Sequence, residues 1–187
     1  MSNMYETEVY NYLSKPANFL AAREINRHFD AVCDRIFKEF WGMVYKKLEV
    51  LSQEKDFVLD PARPASFVER YASIHIRPKE DFAVRVAVSD LTTKPFFGLS
   101  INKDDTRLDR AQVKAYLAQE AVKFANKTPT DWWYGRDAPV RNFFEDGDME
   151  RILPENRAAE VDNMANEIVQ FYEANLKHLE KMNGKRS

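Results

Sequence analysis

Residues Phe82 to Val88 read Phe-Ala-Val-Arg-Val-Ala-Val, with a large apolar side chain at every second position. That period of two is the pattern of a strand with one buried face. The segments on either side have a different rhythm. Leu20, Ile25, Phe29, Val32, Ile36, Phe40, Met43, Leu48 and Leu51 recur mostly every three or four positions. Such spacing predicts a helix of about 35 residues, roughly 50 Å long. Tyr5, Val9, Tyr12 and Leu13 predict a shorter helix over residues 3–13, and Ser14 and Pro16 mark the start of the long one.

Asp60-Pro61-Ala62-Arg63-Pro64 breaks the helical rhythm, and three candidate strands follow at 69–77, 81–89 and 95–102. The short polar connections between them suit an antiparallel meander. Phe82, Val84, Val86 and Val88 are expected to face the core, as are Ala72, Ile74 and Ile76, and Phe97, Leu99 and Ile101. Tyr71, Ser73, His75 and Arg85 fall on the opposite face. Asp109 starts a predicted helix running to about Asn126, with Val113, Leu117, Ala121 and Phe124 inward. Residues 127–150 carry no regular pattern. Pro154 opens a last helix with Val161, Met164, Ile168, Phe171, Leu176 and Leu179 inward.

The fold class is therefore α+β: a small antiparallel sheet of three to four strands packed against long amphipathic helices. Residues 1–53 form a helical arm and the first long helix. Residues 54–187 form the sheet with two covering helices, the whole being one compact domain. The length of the first long helix suits a contact between two copies of the chain.

Charge narrows the options. The 187 residues carry 28 basic and 30 acidic side chains, a net charge of −2. A dedicated nucleic-acid binder is usually strongly basic, so that class is not favoured, although a local basic patch fits the numbers. Cys33 is the one cysteine, which excludes an internal disulfide and fits a reducing cytoplasm. The first twelve residues are polar, unlike a secretory leader, and no apolar run approaches a membrane span.

Candidate chemistry is sparse. Trp132-Trp133-Tyr134, followed by Arg136 and Arg141, could form a stacking platform with cationic partners, or one Trp could plug the gap beside the last helix. Arg85 with Tyr71 and His75 could form a polar sheet face open to a ligand. The three histidines lie far apart, and none has a second ligand at metal spacing, so no metal or other cofactor is expected. The acidic pairs Asp104-Asp105 and Glu145-Asp146-Gly147-Asp148 read as solvated turns. Cys33 on an apolar stripe reads as packing.

The order of elements also carries a resemblance. A helix containing Phe40-Trp41, a three-strand meander, a helix ending near Phe124, the Trp132-Trp133 stretch and a long terminal helix follow one another over about residues 36–182. This layout resembles the C-terminal domain that follows the catalytic core in some uncharacterised or defence-associated prokaryotic PD-(D/E)XK nuclease-superfamily proteins. The nuclease residues of that family lie in the preceding core. No acid–acid–lysine set matches here: Asp90 and Lys94 have the wrong spacing, and Phe82 stands two residues after Glu80. The resemblance implies a non-catalytic accessory or immunity-type protein of a prokaryotic defence or toxin system. Its expected partner is another protein or a second copy of itself. The alternative is a nucleic-acid or nucleotide module using the polar sheet face and the Trp132-Trp133 region.

Overall fold

The computed structural model describes residues 2–59, 66–69, 72–79, 82–101, 109–119, 124, 130 and 132–183, without the side chains of residues 2–4, 110 and 117–119. Tyr71, Asp104, Asp105 and Ala121 lie outside the described residues, and so does the side chain of Leu117. The chain divides into two compact units, Met1–Ile36 and Phe37–Ser187.

The first unit holds α1 (Ser2–Leu13) and the beginning of α2 (Pro16–Glu54). Ser14 closes α1 by donating its hydroxyl to the Tyr10 carbonyl at 2.7 Å, and the Asn18 amide donates to the Tyr12 carbonyl at 2.9 Å. Proline then occupies the first position of α2, where its missing N–H costs nothing.

The second unit contains a five-stranded antiparallel meander in the order β1 (Val58–Leu59), β2 (Ser73–Arg77), β3 (Val84–Ser89), β4 (Phe96–Ile101) and β5 (Trp133–Arg136). Two strands exceed the reading from periodicity. The first has only two residues, too few to show a period. The fifth lies where an irregular stretch was expected.

The register aligns the alternating apolar residues. Ile74 opposes Val88 and Ile76 opposes Val86; across the other edge of β3, Val84, Val86 and Val88 oppose Ile101, Leu99 and Phe97. These eight residues share one face and are each at most 5% exposed. Phe82, just before β3, is equally buried. The turn into β4 places Asp90 at φ 61°, a left-handed conformation that Asp tolerates better than branched residues do. The Thr93 hydroxyl closes this turn onto the Asp90 carboxylate.

Helices cover the apolar face. α5 (Arg157–Met182) lies against β3, and its Phe171 ring meets Phe97 at 5.3 Å and Phe124 at 6.3 Å. Burial in α2 is concentrated in Phe37, Phe40, Trp41, Val44, Tyr45 and Leu48. Trp41 donates its indole N–H to the Leu91 carbonyl at 2.7 Å, which pins the helix to the β3–β4 turn. Lys47 pairs with Asp162, and Arg157 with Glu39, at 2.8 and 2.7 Å along the α2–α5 seam.

Three boundaries differ from the periodicity reading. α3 (Arg110–Gln119) starts as expected, with the Asp109 carboxylate accepting from the Ala111 and Gln112 N–H groups. Phe124 is not helical, so the helix stops short of Asn126. The acidic run after Phe144 is not a plain turn but opens a short helix, α4 (Asp146–Arg151), where Asp146 and Asp148 complement the dipole of the first turn. Pro154 lies in the turn before α5 rather than inside the helix.

Candidate functional site

The second face of the sheet collects most of the residues singled out by sequence. Cross-strand pairing forms one row from His75 through Ala87 and Gly98 to Arg136. A neighbouring row runs from Arg85 through Ser100 to Trp133. β5 therefore brings Trp133 and Arg136 onto the face that carries His75 and Arg85. That juxtaposition depends on pairing across four strands, and no local spacing encodes it.

Small residues sit at the centre. A Cβ on Gly98 would lie 2.7 Å from the Gly135 carbonyl oxygen and 2.9 Å from the Trp133 ring, so glycine lets Trp133 lie flat over β4. Trp133 then meets Phe96 at 5.1 Å in an edge-on arrangement, and the Arg136 guanidinium stands 5.2 Å from the same Phe96 ring. The register shifts between Leu99 and Ser100, which re-aims the start of β5.

The tryptophans and the tyrosine part company. Trp132 is 51% exposed, Trp133 is half-buried and Tyr134 is 3% exposed. Tyr134 is thus a core residue and Trp132 a surface one. Neither Trp plugs a gap beside the last helix; Phe124 and Phe171 fill that space on the opposite face.

His75 is half-buried, and its Nε2 lies 2.8 Å from the Ser73 hydroxyl. Burial pushes its pKa from 6.5 down to about 4. The unfolded chain takes up a proton near pH 6.5 and the folded chain does not, so stability is full above that pH and falls as the pH drops toward 4. Between about pH 6.5 and about pH 5 the loss attributable to His75 should be about 2 kcal/mol. Across that window the urea midpoint of the parent chain should fall relative to that of His75→Gln as pH drops; a pH-independent difference between the two would contradict an imidazole held neutral.

Arg141 does not join the aromatic group. It is bound into a buried ion cluster, with Nε 2.6 Å from Glu160, Nη2 2.9 Å from Glu167 and Nη1 2.7 Å from its neighbouring Val140 carbonyl. Burial opposes the charge of Arg141, but the hydrogen bonds and charges of Glu167 and Glu160 outweigh it and hold its pKa above the ordinary value. The cluster ties the 137–143 segment, already bonded to Phe97, Pro95 and Thr93 carbonyls, onto α5. A hydrophobic pattern conceals Glu160, which with Asn175 is a polar residue on the mostly apolar buried face of α5.

In the first unit, Ala22, Ile25, Phe29, Val32 and Ile36 repeat at spacings of three and four, a seven-residue pattern. Ile25, Phe29 and Val32 are 66, 58 and 53% exposed. Cys33 beside this row is half-buried; burial pushes its thiol up, and the Asp30 and Asp34 charges add to the shift, so it is not an activated nucleophile.

Among the described residues no three His, Cys, Asp or Glu side chains converge as metal ligands, and no helix is long and apolar enough to cross a membrane. No family model, curated protein or solved structure matches this chain.

Proposed function

We propose that the protein is a non-catalytic interaction protein that self-associates through the first half of α2. The observation that carries this reading is the exposed row Ile25, Phe29 and Val32. Large apolar side chains left in water on a regular helical stripe mark an interaction surface. The seven-residue repeat specifies the type: two helices wound together bury positions spaced alternately by three and four. Nine large apolar or aromatic side chains between Tyr5 and Val32 are exposed.

The resemblance of the sequence layout to the domain after prokaryotic PD-(D/E)XK nuclease cores is what supports an accessory or immunity-type role in a defence or toxin system. The single cysteine supports a reducing, cytoplasmic setting.

Light scattering should give a mass twice the 21.9 kDa of one chain. The double variant Ile25→Glu/Phe29→Glu, which places carboxylates in the row without touching the core, should run at the mass of one chain with an unchanged circular dichroism spectrum. A parent chain that stays monomeric at high concentration, or a variant that stays dimeric, would refute self-association through this row.

A further inference from the structure

We propose that the cleft between α4 and the first turns of α5 binds a free α-amino acid with a basic side chain. The site belongs to the second unit, goes beyond self-association through α2 and does not rest on it.

The cleft has a volume of about 420 Å³, within the range of small-ligand sites. It is lined by Glu150 and Arg151 of α4, by Asn156 at the start of α5, and by Ala159, Glu160 and Asn163 within α5. Asn156, Glu160 and Asn163 follow one another at spacings of four and three, so one helix face presents all of them.

These groups have bonding capacity to spare. Glu160 is 4% exposed, and its Oε1 accepts from Arg141 at 2.6 Å. Its Oε2 accepts no hydrogen bond among the described residues and stands 3.9 Å from Arg151 Nη1. A buried carboxylate oxygen without a donor keeps a desolvation cost that a ligand's N–H would relieve. Arg151 approaches both Asp148 and Glu160 no closer than 3.9 Å, and among the described residues its guanidinium makes no hydrogen bond. Asn156 starts α5 without giving its side-chain oxygen to a helix N–H. Its amide donates instead to the Glu150 carbonyl at 3.1 Å. Among the described residues the Glu150 carboxylate and the Asn163 amide have no partner.

The arrangement of charge defines the ligand. A gap of 3.9 Å is too long for a charge-assisted hydrogen bond, which closes to about 2.8 Å. It suits a molecule that carries an ammonium and a carboxylate on one carbon. The ammonium donates to Glu160 Oε2 and the carboxylate accepts from Arg151, so opposite charges alternate around a closed ring of four groups. The other ammonium hydrogens have the Asn156 and Asn163 side-chain oxygens as acceptors. A primary amine alone would leave Arg151 unused, and a carboxylate alone would leave Glu160 Oε2 unused. The side chain follows from the surroundings. Asp148, Glu150, Glu160 and Glu167 outnumber Arg141 and Arg151, and the unpaired Glu150 lies on the cleft wall, so a cationic side chain is favoured and an acidic one repelled.

The test is a two-dimensional NMR titration of the isotope-labelled full chain with lysine and arginine, and with lysinamide, Nα-acetyl-lysine and glutamate as controls. Lysine and arginine should give saturable shifts confined to amides around residues 147–163. Lysinamide and Nα-acetyl-lysine, each lacking one head-group charge, should bind about tenfold or more weakly, and glutamate more weakly than lysine. Arg151→Gln should weaken lysine about tenfold and erase the preference for lysine over lysinamide, a change that a general loosening of the fold would not produce. Asn163→Ala should weaken all α-ammonium ligands alike. Both residues are exposed, so the fold is expected to survive, as circular dichroism would verify. No saturable shift with either basic amino acid would overturn the proposal. So would equal binding of lysine and lysinamide by the parent chain, which would mark a site for amines, equal binding of lysine and glutamate, or an unchanged preference in Arg151→Gln.

Discussion

Replacement of Trp41 by alanine is expected to remove about 4 kcal/mol or more from the stability of the second unit, enough to abolish folding of a marginal domain. Trp41 is 0% exposed, and its ring meets Phe40 at 5.1 Å. Truncation opens a cavity the size of an indole, and close-packed interiors relax only partly around such voids. A second loss adds to the first. The indole N–H satisfies the Leu91 carbonyl at 2.7 Å, and Leu91 is itself 2% exposed. Leaving that carbonyl without a donor costs a further ~1–3 kcal/mol. The two parts can be separated. Trp41→Phe keeps most of the ring volume and loses the donor, so its urea midpoint should fall by the smaller amount while the slope of the transition is unchanged. A Trp41→Ala chain as stable as the parent would show that the β3–β4 turn is not anchored through α2.

Removal of the Arg141 guanidinium is expected to be nearly as damaging. Among the described residues, Arg141→Ala leaves Glu160, 4% exposed, with Arg151 at 3.9 Å as its one remaining cation. Breaking a buried pair from one side costs about 3–5 kcal/mol, because the surviving charge keeps its desolvation penalty and loses its compensation. Replacing both partners is gentler: Arg141→Met/Glu160→Leu should recover much of the stability lost in either single variant. Arg141→Lys should fall between, since an ammonium cannot hold Glu160 and Glu167 with one planar fork. A thermodynamic cycle over these variants measures the coupling. Additive losses would mean that the cluster is a set of independent surface contacts.

The strongest periodic signals in the chain describe its core well. Phe82 to Val88 alternates because helices cover one side of the strand and the other side bears Arg85 and Ala87. The long rhythm of α2 predicts a helix correctly, yet it cannot distinguish Phe40, Val44 and Leu48, buried by the same chain, from Ile25, Phe29 and Val32, left exposed. Periodicity reports a face, not what covers it. β5 was illegible for a physical reason. Its residue on the apolar face is Gly135, where a Cβ would stand 2.3 Å from the Phe124 ring. The core position is filled from outside the strand, so no apolar residue marks it, and the register shift beside Ser100 disturbs the alternation further. The candidate binding face was legible in halves. His75 and Arg85 could be assigned to one side of a strand, and Trp133 and Arg136 could be seen as a pair, but only the register of β3, β4 and β5 unites them.

The coverage of α2 by a second copy is tested most directly by hydrogen exchange of its amides as a function of protein concentration. Association through the seven-residue row predicts slower exchange between residues 22 and 36 as concentration rises, with α5 unchanged at every concentration. Concentration-independent exchange over 22–36, or new protection confined to another part of the chain, would contradict it.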